Sequence, residues 1–137
     1  MEKNSNLGFC LIANSVDDAK PLLYRITVSH LPGDAPLTIY VGQTKNGSER
    51  PFKRYDANVR NMIQGKLPLN GKAFRPVHHD LRAAHYAGHK ICVELVRNVD
   101  LSTEDILSAE RHLQAQHGVE PVGRTERRML QDDGTLV

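Results

Sequence analysis

The chain has no tryptophan, few aromatics (5%) and two cysteines in 137 residues. With so few aromatics, the 39% apolar fraction must build a modest, largely aliphatic core. Cys10 and Cys92 are far apart and form no metal-ligand spacing. Two cysteines in a chain of this length point to a reducing compartment, not to a disulfide framework. No apolar run approaches the roughly 20 residues that a membrane span requires. The run LGFCLIA at 7–13 is short and follows Glu2 and Lys3, which fits a buried strand or helical turn better than a signal peptide. The expectation is a soluble, cytoplasmic protein without membrane partners. Repeats, low-complexity tracts and long linkers are also missing, and the length suits one domain of about 100–150 residues.

Charge is present, and it is unevenly placed. Between Thr44 and Lys90 ten Lys/Arg face three acids, Glu49, Asp56 and Asp80, so this segment carries +7 and the remainder −5. A concentrated positive field attracts polyanions, nucleic acid first among them. Taken alone, it is equally consistent with a solvated helix surface.

The pattern along the chain predicts elements in the order β-β-α-α-β-α. After Pro21, LLYRITV (22–28) has strand character, Pro32-Gly33-Asp34 supplies turn chemistry, and LTIYVG (37–42) forms the second strand. A short loop between two strands makes an antiparallel hairpin the simplest reading. It places Tyr24 opposite residue 39 or 40, with both tyrosines on one face if the register is even. Gly42 ends the strand without a side chain and permits close approach by a ligand or another backbone. Ser48 or Gly47 can cap a helix with Pro51 in its first turn. Its core stripe is Phe52, Tyr55, Val59 and Met62 or Ile63, and Gly65 is a plausible stop. Arg54 and Asn58 are i,i+4 neighbours off that stripe. Pro76 opens a second helix to about Tyr86, residues 89–96 read as a third strand, and Ser102…Asp105 reads as a capping box opening a last helix to about Gln116. The expected fold is α+β, an α/β sandwich in which helices flank a small, mostly antiparallel three-stranded sheet. The domain spans 21–118, between an extension of undetermined structure at 1–20 and a polar tail at 119–137.

The last helix holds a chemically informative residue. Glu110 is four after Ile106 and three before Leu113, so a carboxylate stands in or beside the buried face. A charge there costs several kcal/mol unless it is paired or binds a metal. One reading is a boundary glutamate paired with Arg111 or Arg54, and the other is a metal ligand. Four histidines, His78, His79, His85 and His89, invite a zinc reading, but their spacing does not bring two imidazoles onto one helix face and no cysteine joins them.

Together these pieces resemble the GIY-YIG nuclease family. The segment Leu23-Tyr24-Arg25, followed sixteen positions after Tyr24 by Tyr40-Val41-Gly42, looks like its signature. Gln43-Thr44 stand for its polar loop, Arg54 for its helix-borne arginine and Glu110 for its late glutamate. Arg50 is an alternative for the arginine, with Arg54 preferred because an aromatic follows it. The likeness covers roughly 22–118. The chain departs from the family in three places: only the tyrosine of the first motif is kept, Asn58 stands where the family often has histidine or tyrosine, and no asparagine follows the glutamate helix.

The resemblance implies a metal-dependent DNA endonuclease with catalytic residues Tyr24, Tyr40, Arg54 and Glu110. Glu110 would hold one Mg²⁺ or Mn²⁺, and cleavage would leave 5′-phosphate and 3′-hydroxyl ends. Arg54 would clamp the phosphate by its planar fork. Tyr24 and Tyr40 would position or deprotonate the attacking water, and base action would require phenols depressed from about 10 by Lys45 or Arg54. Gly42, Lys45 and Asn58 would support the site, and Lys45, Arg50, Lys53 and Arg60 would hold the nucleic-acid backbone, RNA not excluded. A homodimer or a targeting partner is compatible with so small a unit. The competing expectation is a nucleic-acid-binding module of the same fold with impaired catalysis.

Overall fold

The structure, a computed structural model, describes residues 2–30 and 34–119. Eight elements follow one another: β1 (Glu2–Asn4), β2 (Cys10–Ile12), β3 (Leu22–Ser29), β4 (Leu37–Thr44), α1 (Glu49–Ile63), α2 (Pro76–Tyr86), β5 (Lys90–Asn98) and α3 (Ile106–His117). This is an α+β fold. Among the described residues the sheet has five strands in the order β1-β2-β5-β3-β4, where three were expected. The two additional strands come from the N-terminal segment. β2 runs parallel to β5, with Cys10 opposite Cys92, and β1 pairs antiparallel with β2. A three-residue strand is too short to show alternation, and β2 owes its place to burial: Phe9 and Leu11 are both in the core.

Side-chain alternation along β3 divides the interior into two layers. Leu22, Tyr24 and Ile26 face Phe52, Tyr55 and Val59 of α1 and Val77 and Leu81 of α2. Leu23, with Val41 of β4, faces Ile106, Ala109 and Leu113 of α3. The period-2 strands and 3.6-period helices thus bury complementary stripes on both faces of the sheet.

The β3–β4 register differs from the expected one. Tyr24 lies opposite Gly42, and Tyr40 opposite Ile26. Val28 pairs with Leu37 and not with residue 35 or 36, and a bulge between Ile26 and Thr27 adds one more residue to β4, as β-bulges do, so a simple count across the loop fails. The two tyrosines remain on one face as diagonal neighbours. The start of α3 is also corrected. Ser102 donates through its backbone N–H and its hydroxyl to Asp100, and Asp105 is the N-cap, accepting from the Ser108 N–H at 3.0 Å. Gly118 closes that helix in the left-handed conformation, φ 65°, which glycine adopts without strain.

Among the described residues no helix is long and apolar enough to cross a membrane. The Pro32-Gly33 part of the expected turn, and all of the expected tail beyond Val119, lie outside the described residues.

Candidate active site

The site begins with a glycine that makes room for a tyrosine. A Cβ on Gly42 would stand 2.5 Å from the Tyr24 hydroxyl oxygen and 2.6 Å from its Cζ. The close approach expected at Gly42 is therefore made by a side chain of the neighbouring strand. The Tyr24 hydroxyl bonds the Tyr55 hydroxyl at 2.8 Å. The rings of Tyr24, Tyr40 and Tyr55 form a mutually tilted cluster with centroids 5.9–6.3 Å apart, within the range where edge-on aromatic contacts are favourable.

Arg75, immediately before α2, closes this cluster. Its guanidinium carbon lies 5.7 Å from the Tyr40 ring centre and 5.8 Å from that of Tyr55. Its Nη1 donates to the Tyr40 hydroxyl at 3.3 Å. His78, one turn into α2, accepts the Arg75 backbone N–H on Nδ1 at 3.0 Å. Because that nitrogen accepts, the neutral ring carries its proton on Nε2, which is buried and has no partner among the described residues. Burial, with the positive charges of Arg75, His79 and Arg54, holds the imidazole down to about 4.

These residues line one open cleft of about 510 Å³. Tyr24, Tyr40, Arg54 and Glu110 all stand on its wall, with Gln43, Thr44, Arg50 and Asn58. Glu110 is 8% exposed. Burial raises its carboxyl above the usual range, offset in part by Arg111, and it forms no ion pair with any described residue. The expected pairing with Arg111 or Arg54 is therefore not made. Arg50 and Arg54 likewise form no ion pair with a described residue.

Several expected positions fall elsewhere. Lys45 is exposed and off the cleft wall. Lys53 pairs with Glu49 at 2.7 Å, and the Nε of Arg60 bonds buried Asp56 at 2.6 Å. Asn58 reaches the cleft wall, but it is buried and its Oδ1 accepts the Leu69 N–H at 2.9 Å, pinning the loop after α1. The depression that base action by Tyr24 requires is reversed. Burial, reinforced by Tyr40, pushes the Tyr24 phenol well above its ordinary value, and Tyr55 is raised by the same cause. The cation against the tyrosines is Arg75, for which the sequence suggested no role; His78 was weighed only among four histidines as a zinc ligand, and Tyr55 only as a member of the core stripe. The one available signal was that Arg75 and His78 bracket Pro76 at the ends of a capping-box spacing. No group of three or more His, Cys, Asp or Glu residues among those described could hold a metal ion. Comparison with family models, with curated proteins and with solved structures found no match to this chain.

Proposed function

We propose that this cleft hydrolyses phosphodiester bonds of DNA with a divalent cation, as an endonuclease of the GIY-YIG type. The observation that carries the reading is a separation of charge. Glu110 shares the cleft with Arg50, Arg54 and Arg75, yet it is paired with none of them. Opposite charges held apart in a partly desolvated cleft are costly. A phosphodiester that arrives with a cation satisfies both signs at once.

In this reading Glu110 would hold Mg²⁺ or Mn²⁺, which would supply stabilisation of negative charge on the leaving oxygen. Arg54 grips the phosphate by its fork. Tyr40 accepts a hydrogen bond from Arg75, so its own O–H is free to orient a water or a phosphate oxygen. Tyr24 stays a neutral phenol and fixes the cluster through Tyr55. Water oxygen bonds to phosphorus as the P–O3′ bond breaks; the proton the attacking water loses passes to solvent, the departing 3′ oxygen takes one up from solvent, and the products are a 5′-phosphate and a 3′-hydroxyl. The raised phenols of Tyr24 and Tyr55 favour one second reading, in which the cleft holds a nucleic-acid backbone without cutting it.

Supercoiled plasmid, branched DNA and RNA incubated with Mg²⁺ or Mn²⁺ separate the two. Cutting of DNA that stops with EDTA, and that falls at least about 100-fold in Glu110→Ala, is the expected result. Cutting that survives both changes sinks the metal–glutamate mechanism, and binding without cutting on every substrate favours the second reading.

A further inference from the structure

Arg75 is built into the cleft more firmly than a surface arginine needs to be. Pro76 restricts the preceding residue to extended backbone, and Arg75 has φ −82° and ψ 160°. His78 holds its N–H, and two tyrosine faces and one tyrosine hydroxyl hold its guanidinium. Ring faces and a phenol oxygen attract a cation through the ring quadrupole and a lone pair. They do not neutralise it, and Arg75 forms no ion pair with any described residue. A guanidinium has five donors in a fixed fork, and the contact to Tyr40 uses only part of them. The result is a preorganised cation, partly stripped of water, on the wall of a cleft that also carries Arg54.

We infer that Arg75 is a second phosphate-contacting residue of this cleft, gripping a phosphodiester beside Arg54, with His78, Tyr40 and Tyr55 as the residues that position it. The inference rests on the reading that the cleft receives a phosphodiester, and it adds a residue that carries both binding and turnover. The sequence-level candidates Lys45, Lys53 and Arg60 do not line the cleft. Arg75 does line it.

The test separates this inference from the nuclease reading by measuring binding without metal. A fluorescein-labelled DNA oligonucleotide is titrated in EDTA at several salt concentrations, with wild type, Arg75→Gln and Arg75→Lys, each checked for folding by circular dichroism. Losing one phosphate contact should weaken binding roughly tenfold and lower the slope of log affinity against log salt by about 1. Arg75→Lys keeps the charge and should keep the slope. Where cutting is measured, it should lose about 10-fold or more in kcat, because a point charge replaces the fork. A purely structural arginine would change stability and leave the slope alone.

An unchanged slope in folded Arg75→Gln overturns the inference, whether or not the wild type cuts DNA. A reduced slope in a protein that never cuts upholds it while the nuclease reading falls. If Arg75→Gln does not fold, Arg75→Lys decides: wild-type kcat and affinity overturn the inference. A wild type that binds no oligonucleotide overturns it outright.

Discussion

Replacing Gly42 by alanine tests the geometry on which the tyrosine cluster depends. The backbone of Gly42 is not in the left-handed region, so alanine is permitted there and the effect is steric. The added Cβ would lie 2.5 Å from the Tyr24 hydroxyl oxygen, 2.6 Å from Cζ and 3.0 Å from Cε2. Comfortable carbon contacts are about 3.5–4.0 Å, so the ring must move by about 1 Å. It has little room to do so, being 4% exposed and wedged between Tyr40 and Tyr55. Overpacking of this kind costs about 1–3 kcal/mol, and displacing the hydroxyl from Tyr55 adds about 1 kcal/mol. The reduced freedom of the unfolded chain returns about 0.5 kcal/mol. The net loss should be about 1.5–3.5 kcal/mol, which lowers Tm by roughly 6–14 °C in a chain of this size. Urea unfolding followed by circular dichroism measures it, and Tyr24→Phe supplies the second side of a double-mutant cycle. Removing the oxygen nearest the new methyl relieves part of the clash, so the double variant should be about 1 kcal/mol more stable than additivity requires. A Gly42→Ala protein within about 0.5 kcal/mol of wild type, or an additive cycle, would refute the placement of Tyr24 over Gly42 and the cluster with it.

Two further outcomes follow from buried partners of the site. His78 is depressed from 6.5 to about 4, so the unfolded chain takes up a proton that the folded one excludes. Stability from this group is complete above pH 6.5 and is lost as pH falls toward 4; urea midpoints across that window should fall less steeply in His78→Asn, and parallel curves would contradict the burial of the ring. Arg60 bonds Asp56, which is 2% exposed, so Arg60→Ala should cost about 1–2 kcal/mol in urea unfolding while leaving the salt slope of DNA binding unchanged. A reduced slope with wild-type stability would return Arg60 to the nucleic-acid surface where its sequence position first placed it.

What could be read in advance was what repeats along the chain. The alternation of LLYRITV and the stripe Phe52, Tyr55, Val59 are local periodicities, and β3 and α1 lie where these predict. The bulge after Ile26 has no such signature, so the side-chain face of Tyr24 was legible and its partner was not. β2 lies inside the LGFCLIA run at 7–13, whose apolar character fits a buried strand or a helical turn alike, because three residues cannot display a period that decides between them. Its strand state comes from β5, some eighty positions away. Arg75 illustrates the same limit within the site. Its decisive contact, with Tyr40, spans 35 residues, and apart from the Arg75…His78 spacing around Pro76 nothing near Arg75 in the sequence distinguishes it from the other cations of a basic segment. Tyr55 was legible as a core residue because its spacing is that of the stripe, but its hydroxyl acquires a role only when Tyr24 arrives from another element.

The N-terminal segment, opaque in the sequence, is tied to the helix that carries Arg50 and Arg54. α1 begins at Ser48 without a side-chain cap of its own, and the Ser48 hydroxyl is buried without a partner among the described residues. Asp18 supplies what is missing: its carboxylate accepts the Ser48 N–H at 2.7 Å and sets a negative charge at the positive end of the helix. Asp56, a turn beyond Phe52, holds the Leu7 N–H at 2.8 Å. Asn98 bonds both the N–H and the carbonyl of Asp17, fixing the same segment to the end of β5. The arm therefore links the sheet to α1 at both ends of the arginine-bearing stretch. The distance between Arg54 on α1 and Glu110 on α3 depends on how firmly α1 is held against the sheet, so a separation of charges that a phosphate and a cation could bridge relies on residues that never reach the cleft.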